Sequence, residues 1–282
     1  MIAFSIGSLD IYRYGIFYVI TFFIAYLFLY YVGKSSIFSK YPKVQNFFDK
    51  NLDDLVLFSI LGVLVGGRLG HVIIYDLNHY LQYPVEIFQF WKGGMSFIGG
   101  MIGVLLTLFI LAKRKGLKRS DLIILFDCIL CIAPLGITIG RIGNFLNQEL
   151  YGIKVPSDFW GLSSGLINLL EKLNVFYVYD KIDIFLRINT NFLASFFEGF
   201  ISLVVTLSIF FVFKKRGKFR VGYITGIFLL WYSFVRFLLE YIRFDSQSEF
   251  VFHLTKSQRF FVIFFIVGLY FVIFEKKKIS IK

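Results

Sequence analysis

Seven apolar runs alternate with short polar connections along the chain, at about 12–33, 53–75, 95–112, 121–140, 192–213, 221–242 and 260–274. Each approaches the roughly 20 residues that a helix needs to cross bilayer hydrocarbon. The pattern predicts an all-α polytopic membrane protein with seven transmembrane helices, a single integral membrane domain over 1–282. Two connections are longer than the rest. The stretch 76–94 carries Tyr80, Tyr83, Phe88, Phe90 and Trp91, aromatics expected at headgroup level. The stretch from 142 to 191 is long enough to fold by itself and predicts a small exterior cap, with a short amphipathic helix between Leu166 and Phe176.

Composition strengthens the class: 57% of residues are hydrophobic and 17% charged, well outside the globular range. The first 30 residues lack a basic start and a small-residue cleavage site, so the first run reads as a retained span. Lysine and arginine then orient the chain. Lys34, Lys40, Lys43 and Lys50 follow span one, Lys113 to Arg119 follow span three, Lys214 to Arg220 follow span five, and Lys276 to Lys278 close the tail. Every second connection is basic, which places the C-terminus in the cytoplasm and the N-terminus outside. The net charge of +12 is thus mostly topological. No separate domain is left to read nucleic acid, and no internal repeat suggests a secondary transporter.

Polar residues inside the runs mark the chemistry, because an ionisable group at membrane depth needs a partner or a watery cavity. The run Gly140-Arg141-Ile142-Gly143-Asn144-Phe145-Leu146-Asn147-Gln148-Glu149-Leu150-Tyr151-Gly152 ends span four with a cation, amides and a carboxylate. A lipid phosphate is one partner that would suit Arg141. In span six, Tyr232, Arg236, Glu240 and Arg243 fall at offsets of four, four and three, on one helical face. That face reads either as an internal ion pair holding helices together or as part of a functional site, and two arginines with two carboxylates on separate segments favour the latter. Arg68 lies in Gly66-Gly67-Arg68-Leu69-Gly70 of span two with His71 and Tyr75 on its stripe. It reads equally as a structural arginine and as a site residue. Gly93, Gly94, Gly99, Gly100 and Gly103 open span three, either as a packing surface or as backbone that receives an anion. Cys128 and Cys131, three apart inside span four, read as packing residues rather than a redox or metal pair.

Taken together, Arg13-Tyr14-Gly15, Gly66 to Gly70, Gly93-Gly94-Met95-Ser96-Phe97, Gly99-Gly100, the Gly140–Gly152 run, and Tyr232 with Arg236 and Glu240 resemble the prolipoprotein diacylglyceryl transferases. These bacterial inner-membrane enzymes move a diacylglyceryl group from phosphatidylglycerol to the lipobox cysteine of a prolipoprotein signal peptide. The resemblance implies a multi-pass enzyme without metal or organic cofactor. It implies catalytic roles for Arg141, Arg236, Tyr14, Tyr232 and Glu149, and phosphatidylglycerol binding by Arg141, Asn144, Arg68, Gly99, Gly100 and Glu240.

The chain departs from that family in two places. Ile98 stands where the family usually has histidine, and Ile188-Asn189-Thr190-Asn191-Phe192-Leu193-Ala194 replaces a segment of the type His-Pro-Ser-Gln-Leu-Tyr-Glu. Isoleucine neither accepts a proton nor donates a hydrogen bond. His71 is the candidate substitute base; otherwise the arginine field, with solvent or lipid phosphate as proton acceptor, would serve. The competing readings are a non-catalytic relative that binds lipid or lipoprotein, and a transporter of anionic solutes.

Overall fold

The computed structural model describes all residues except 1, 7, 8, 36, 90–92, 157–161, 245–249, 252, 253, 276, 277 and 282, and leaves the side chains of 2–6, 9–14, 18, 97, 98, 250, 251 and 256 undescribed. In chain order the elements are a hairpin of β1 (Ile2–Ile6) and β2 (Leu9–Tyr12), then α1 (Arg13–Lys34), α2 (Pro42–Lys50), α3 (Leu52–Ile74), α4 (Leu77–Gln82), α5 (Phe97–Arg114), α6 (Arg119–Asn147) and α7 (Ser164–Lys172). The second half of the chain adds β3 (Phe176–Val178), β4 (Leu186–Ile188), α8 (Thr190–Ala194), α9 (Ile201–Arg216), β5 (Lys218–Arg220), α10 (Tyr223–Leu239), β6 (Phe250–Val251), β7 (Leu254–Thr255), α11 (Lys256–Ile273) and β8 (Lys278–Ser280).

Among the described residues, five helices are long and apolar enough to cross a membrane: Gly15–Lys34, Leu52–Ile74, Arg119–Asn147, Thr190–Arg216 and Tyr223–Ile242. The chain is therefore a helical polytopic membrane protein. The third and seventh apolar runs form α5 and α11, of 18 residues each. Val19, Phe23, Leu61, Phe109, Phe234 and Ile266 stay exposed along these helices, a surface suited to lipid rather than water. The expected cap helix is α7, which starts where the Ser163 hydroxyl accepts from the Leu166 N–H.

The helices and loops form two compact units, Tyr26–Leu125 and Met1–Ala25 with Phe126–Ile281. In the first, glycines bring α3 and α5 into backbone contact. A Cβ on Gly66 would lie 2.4 Å from the Gly99 carbonyl oxygen, and one on Gly103 would lie 2.0 Å from that of Gly62. Small residues at four-residue spacing allow this approach, and dispersion between close-packed backbones holds it. The amphipathic α2, which the sequence pattern does not reveal, buries Val44, Phe47 and Phe48.

In the second unit, Asp127 on α6 organises the start of α10. Its carboxylate accepts from the backbone N–H of Gly222 at 2.6 Å and of Thr225 at 2.8 Å, and from the Thr225 hydroxyl at 2.7 Å. A helix start buried without such acceptors would leave orphan donors, so a carboxylate from another helix replaces the usual cap. Cys128 and Cys131 are free and buried beside it, with the Cys131 thiol donating to the Asp127 carbonyl. They pack.

The long connection between α6 and α8 folds as a small sheet with α7 against it. β3 pairs antiparallel with β4, and 152–155 runs along the other edge of β4 through bonds between Gly152 and Ile188 and between Val155 and Leu186. Phe176 and Ile188 form its core with Ile153, Ile167 and Leu170 packed around them. Arg187 is buried under the sheet, over the rings of Tyr151 at 4.7 Å and Phe244 at 5.1 Å, and donates to Asp183 at 2.6 Å.

That guanidinium holds the Asp183 carboxyl below its ordinary value. A carboxyl lowered on folding contributes stability that is fully present above its unfolded value, near about 3.9, and lost as pH falls through the folded one. The hydrogen-exchange protection factors of the Val155 and Ile188 amides, which flank the bridge between Lys154 and Arg187, are expected to fall only below about pH 4. In Asp183→Asn that protection is expected to be lower above about pH 4, equal to that of the unaltered protein in more acid solution, and free of the acid dependence.

Candidate active site

Within the second unit, three helices converge on one buried carboxylate. Glu198 has no exposed side-chain surface, and its two oxygens face two different arginines. Arg141, near the end of α6, donates from Nη2 to Glu198 Oε2 at 3.3 Å. Arg236, in the last turn of α10, lies with Nη1 3.6 Å from Glu198 Oε1 and Nη2 3.0 Å from Glu240 Oε2. The latter two are ion-pair contacts and not hydrogen bonds: Glu198 Oε1 and Glu240 Oε2 have no hydrogen-bond partner among the described residues. The Arg236–Glu240 pair expected from the span-six spacing is thus present, and Arg141 joins it through a third residue.

Further polar members of the two motifs are buried in the same unit. Asn144, one turn after Arg141, and Arg243 are buried. Tyr232 stacks on Phe228 at 5.5 Å and meets Phe261 edge-on at 5.9 Å, and Arg236 lies 5.7 Å from the same Phe261 ring. The Tyr232 phenol sits in the combined field of Glu198, Arg236, Arg141 and Arg243. Among the described residues the cluster gathers three guanidiniums and two carboxylates, in surroundings where screening by water is weak. Such a site would favour an anion, and most of all one whose charge grows during reaction.

The backbone after Asn147 turns through two non-glycine residues in the left-handed region, Gln148 at φ 59° and Leu150 at φ 53°. Such strain persists only where surrounding contacts over-determine it. The altered segment before span five supplies them: Thr190 Oγ1 donates to the Leu150 carbonyl at 2.7 Å and Asn191 Nδ2 to the Glu149 carbonyl at 2.6 Å. Asn189 caps α8 by accepting from the Phe192 N–H and also receives the Tyr179 hydroxyl at 3.0 Å. Burial pushes that phenol up to about 12, which keeps it a donor. Gly152 completes the clamp, since a Cβ there would lie 2.5 Å from the Ile188 carbonyl oxygen. The Glu149 side chain itself is exposed and forms no ion pair among the described residues.

The other expected residues fall elsewhere. Arg68, in the first unit, is 2% exposed and spent on a loop: it donates to the carbonyls of Ile87, Gly93 and Glu86 at 2.9, 2.5 and 2.5 Å, with Tyr80 under its guanidinium at 5.1 Å. Five planar donors make arginine suited to collecting carbonyls in this way. His71 stacks on Tyr75 and meets Tyr80 edge-on, and a Cβ on Gly94 would lie 2.6 Å from its Nε2. Gly94 has a φ of +76°, so glycine suits it on both grounds. The N–H of Gly99 is taken by Ser96 Oγ and that of Gly100 by the Ser96 carbonyl; Gly99 serves the close contact with α3, whereas a Cβ on Gly100 would meet Val63 only at 3.5 Å. The side chains of Tyr14 and Ile98 lie outside the described residues.

Glu198 is the residue that sequence reasoning missed. A lone acid in Phe196-Phe197-Glu198-Gly199-Phe200 repeats at no helical spacing. Its depth in an apolar run was the available signal.

Comparison with known proteins agrees with the resemblance. The family described as prolipoprotein diacylglyceryl transferase matches residues 1–274. Among the relatives, a phosphatidylglycerol–prolipoprotein diacylglyceryl transferase of Wolbachia pipientis wMel is 37% identical over 86% of this chain and 81% of its own. One from Ehrlichia ruminantium (strain Welgevonden) is 34% identical over 86% and 82%, and one from Rickettsia bellii (strain OSU 85-389) is 32% identical over 96% and 94%.

Proposed function

The chain belongs to the prolipoprotein diacylglyceryl transferase family, and from that premise we propose how this molecule carries out the first step of lipoprotein maturation. It transfers the diacylglyceryl group of phosphatidylglycerol to a prolipoprotein. The acceptor is the lipobox cysteine of the signal peptide: its thiolate attacks the lipid carbon bonded to phosphate oxygen, a thioether C–S bond forms, the C–O bond breaks, and glycerol phosphate leaves with the electron pair. The thiol proton passes to solvent.

The observation that carries this reading is the pair of guanidiniums on one buried carboxylate. Arg141 and Arg236 receive the lipid phosphate and stabilise the charge that grows on it as the bond breaks. The same positive field favours the thiolate over the thiol. Asn144 and Tyr232 flank the phosphate, and Glu240 holds Arg236. With Ile98 lacking a basic atom, ionisation rests on the arginine field, with solvent or the lipid phosphate as proton acceptor. The seven apolar runs cross the bacterial inner membrane with the basic connections inside, and 142–191 caps the site outside. Phosphatidylglycerol enters from the bilayer and the peptide from the outer leaflet.

Purified protein in phosphatidylglycerol micelles, given a lipobox peptide, is expected to yield a thioether-linked diacylglyceryl peptide together with glycerol phosphate. Phosphatidylglycerol binding without product would overturn the reading in favour of a non-catalytic relative.

A further inference from the structure

The geometry points to Glu198 as a positioning residue that makes Arg141 and Arg236 a single anion receptor, aimed by the π-helical turn in which it sits; this inference rests on the transferase reading above. Each oxygen of Glu198 takes one guanidinium, Oε2 that of Arg141 at 3.3 Å and Oε1 that of Arg236 at 3.6 Å. Arg236 already has Glu240 at 3.0 Å, so neutralising Arg236 alone does not require Glu198. Linking the two cations does. Without the shared carboxylate, two like charges in an apolar setting repel one another and separate. Arg141 engages Glu198 only through Nη2, and its Nε and Nη1 make no hydrogen bond with the described residues. Those donors are available to a phosphate once the guanidinium is held still.

Glu198 reaches this place because the helix widens around it. Ser195–Phe200 is a π-helix between α8 and α9, a form that is rare and recurs at functional sites. One extra residue in a turn rotates the downstream helix by about 100° relative to an unbroken α-helix. The widened turn is tied to both helices that carry the arginines. On the α6 side, Ser195 Oγ donates to the Thr138 carbonyl at 3.1 Å, and Gly199 packs so closely that a Cβ would lie 2.3 Å from Thr138 Oγ1. Thr138 precedes Arg141 by one turn. On the α10 side, Trp231 Nε1 donates to the Phe197 carbonyl at 2.8 Å, five residues before Arg236. The turn therefore sets where Glu198 lies relative to both cations at once.

The test is steady-state transfer by Glu198→Gln, Glu198→Asp and Trp231→Phe, each checked for monodispersity and thermal unfolding beside the unaltered protein. Glutamine keeps the shape and loses the charge, so kcat is expected to fall about 100-fold or more while KM for phosphatidylglycerol changes less than about 3-fold, since either cation alone still attracts the ground-state phosphate and only their joint placement on the growing charge is lost. Aspartate is expected to regain about a tenth of the kcat, a rescue that a space-filling role would not produce. Trp231→Phe, which loosens the turn and leaves every charge in place, is expected to lower kcat by about 3- to 10-fold at unchanged KM. Folded Glu198→Gln with near-normal kcat overturns the proposal, as does a parallel rise in KM. Should the glutamine variant not fold, full kcat in Trp231→Phe is the overturning result. An inactive unaltered protein sinks the transferase reading itself, and this inference with it; an active one separates the two.

Discussion

Arg141→Ala is expected to lose diacylglyceryl transfer by about 1,000-fold or more, with the protein still folded. Removing one preorganised donor from a transition-state anion costs about 100- to 1,000-fold in kcat. Here the loss is compounded, because Glu198 keeps its charge and turns wholly towards Arg236, drawing the remaining cation away from the phosphate. Arg141→Lys is expected to recover little, since a point charge does not reproduce a planar fork that binds Glu198 through one arm and phosphate through the others. Labelled phosphatidylglycerol and a lipobox peptide give the readout, with thermal unfolding as the fold check. A folded Arg141→Ala variant with normal turnover would remove Arg141 from the mechanism.

The second large effect is on the fold. Gly103→Val is expected to cost more than about 3 kcal/mol, because overpacking is worst where the obstructing atoms are backbone. The Cβ of any residue at 103 would stand 2.0 Å from the Gly62 carbonyl oxygen and 2.7 Å from the Gly62 carbonyl carbon. Relief would require α3 and α5 to part along the whole Gly62, Gly66, Gly70 contact. Thermal unfolding in detergent is expected to show a sharply lowered midpoint or no folded fraction. Gly165→Ala is the control: its Cβ would meet nothing within 4 Å, so it is expected to be neutral or stabilising by about 0.5–1 kcal/mol. Equal behaviour of the two variants would mean that helix contact at Gly103 is not as close as described.

The helices were legible in the sequence because lipid demands long apolar runs with internally satisfied backbone; the run at 53–75 coincides with α3, and that at 121–140 lies inside α6, which continues to Asn147 and takes in the first residues expected in the cap. The Tyr232, Arg236, Glu240 face was legible because a helical offset of four places side chains together whatever the tertiary fold. What escaped depended on partners distant in sequence. Asp127 reads as an isolated acid until α10 arrives 95 residues later. Arg68 carries the charge of a site residue and is used for carbonyls 18 to 25 residues away. The π-turn leaves no periodic trace, because it consists of one extra residue within an already apolar stretch.

The same sequence separation bears on how the molecule is made. Arg141 leaves the ribosome 57 residues before Glu198, a delay of about 3–11 s at usual synthesis rates of about 5–20 residues per second. For that interval, α6 carries a guanidinium whose ion-pair partner does not yet exist, at a depth that lipid penalises. The end of α6 can complete this pair only once the π-helical turn ahead of α9 has been made. In this chain, biogenesis and active-site assembly finish as one event.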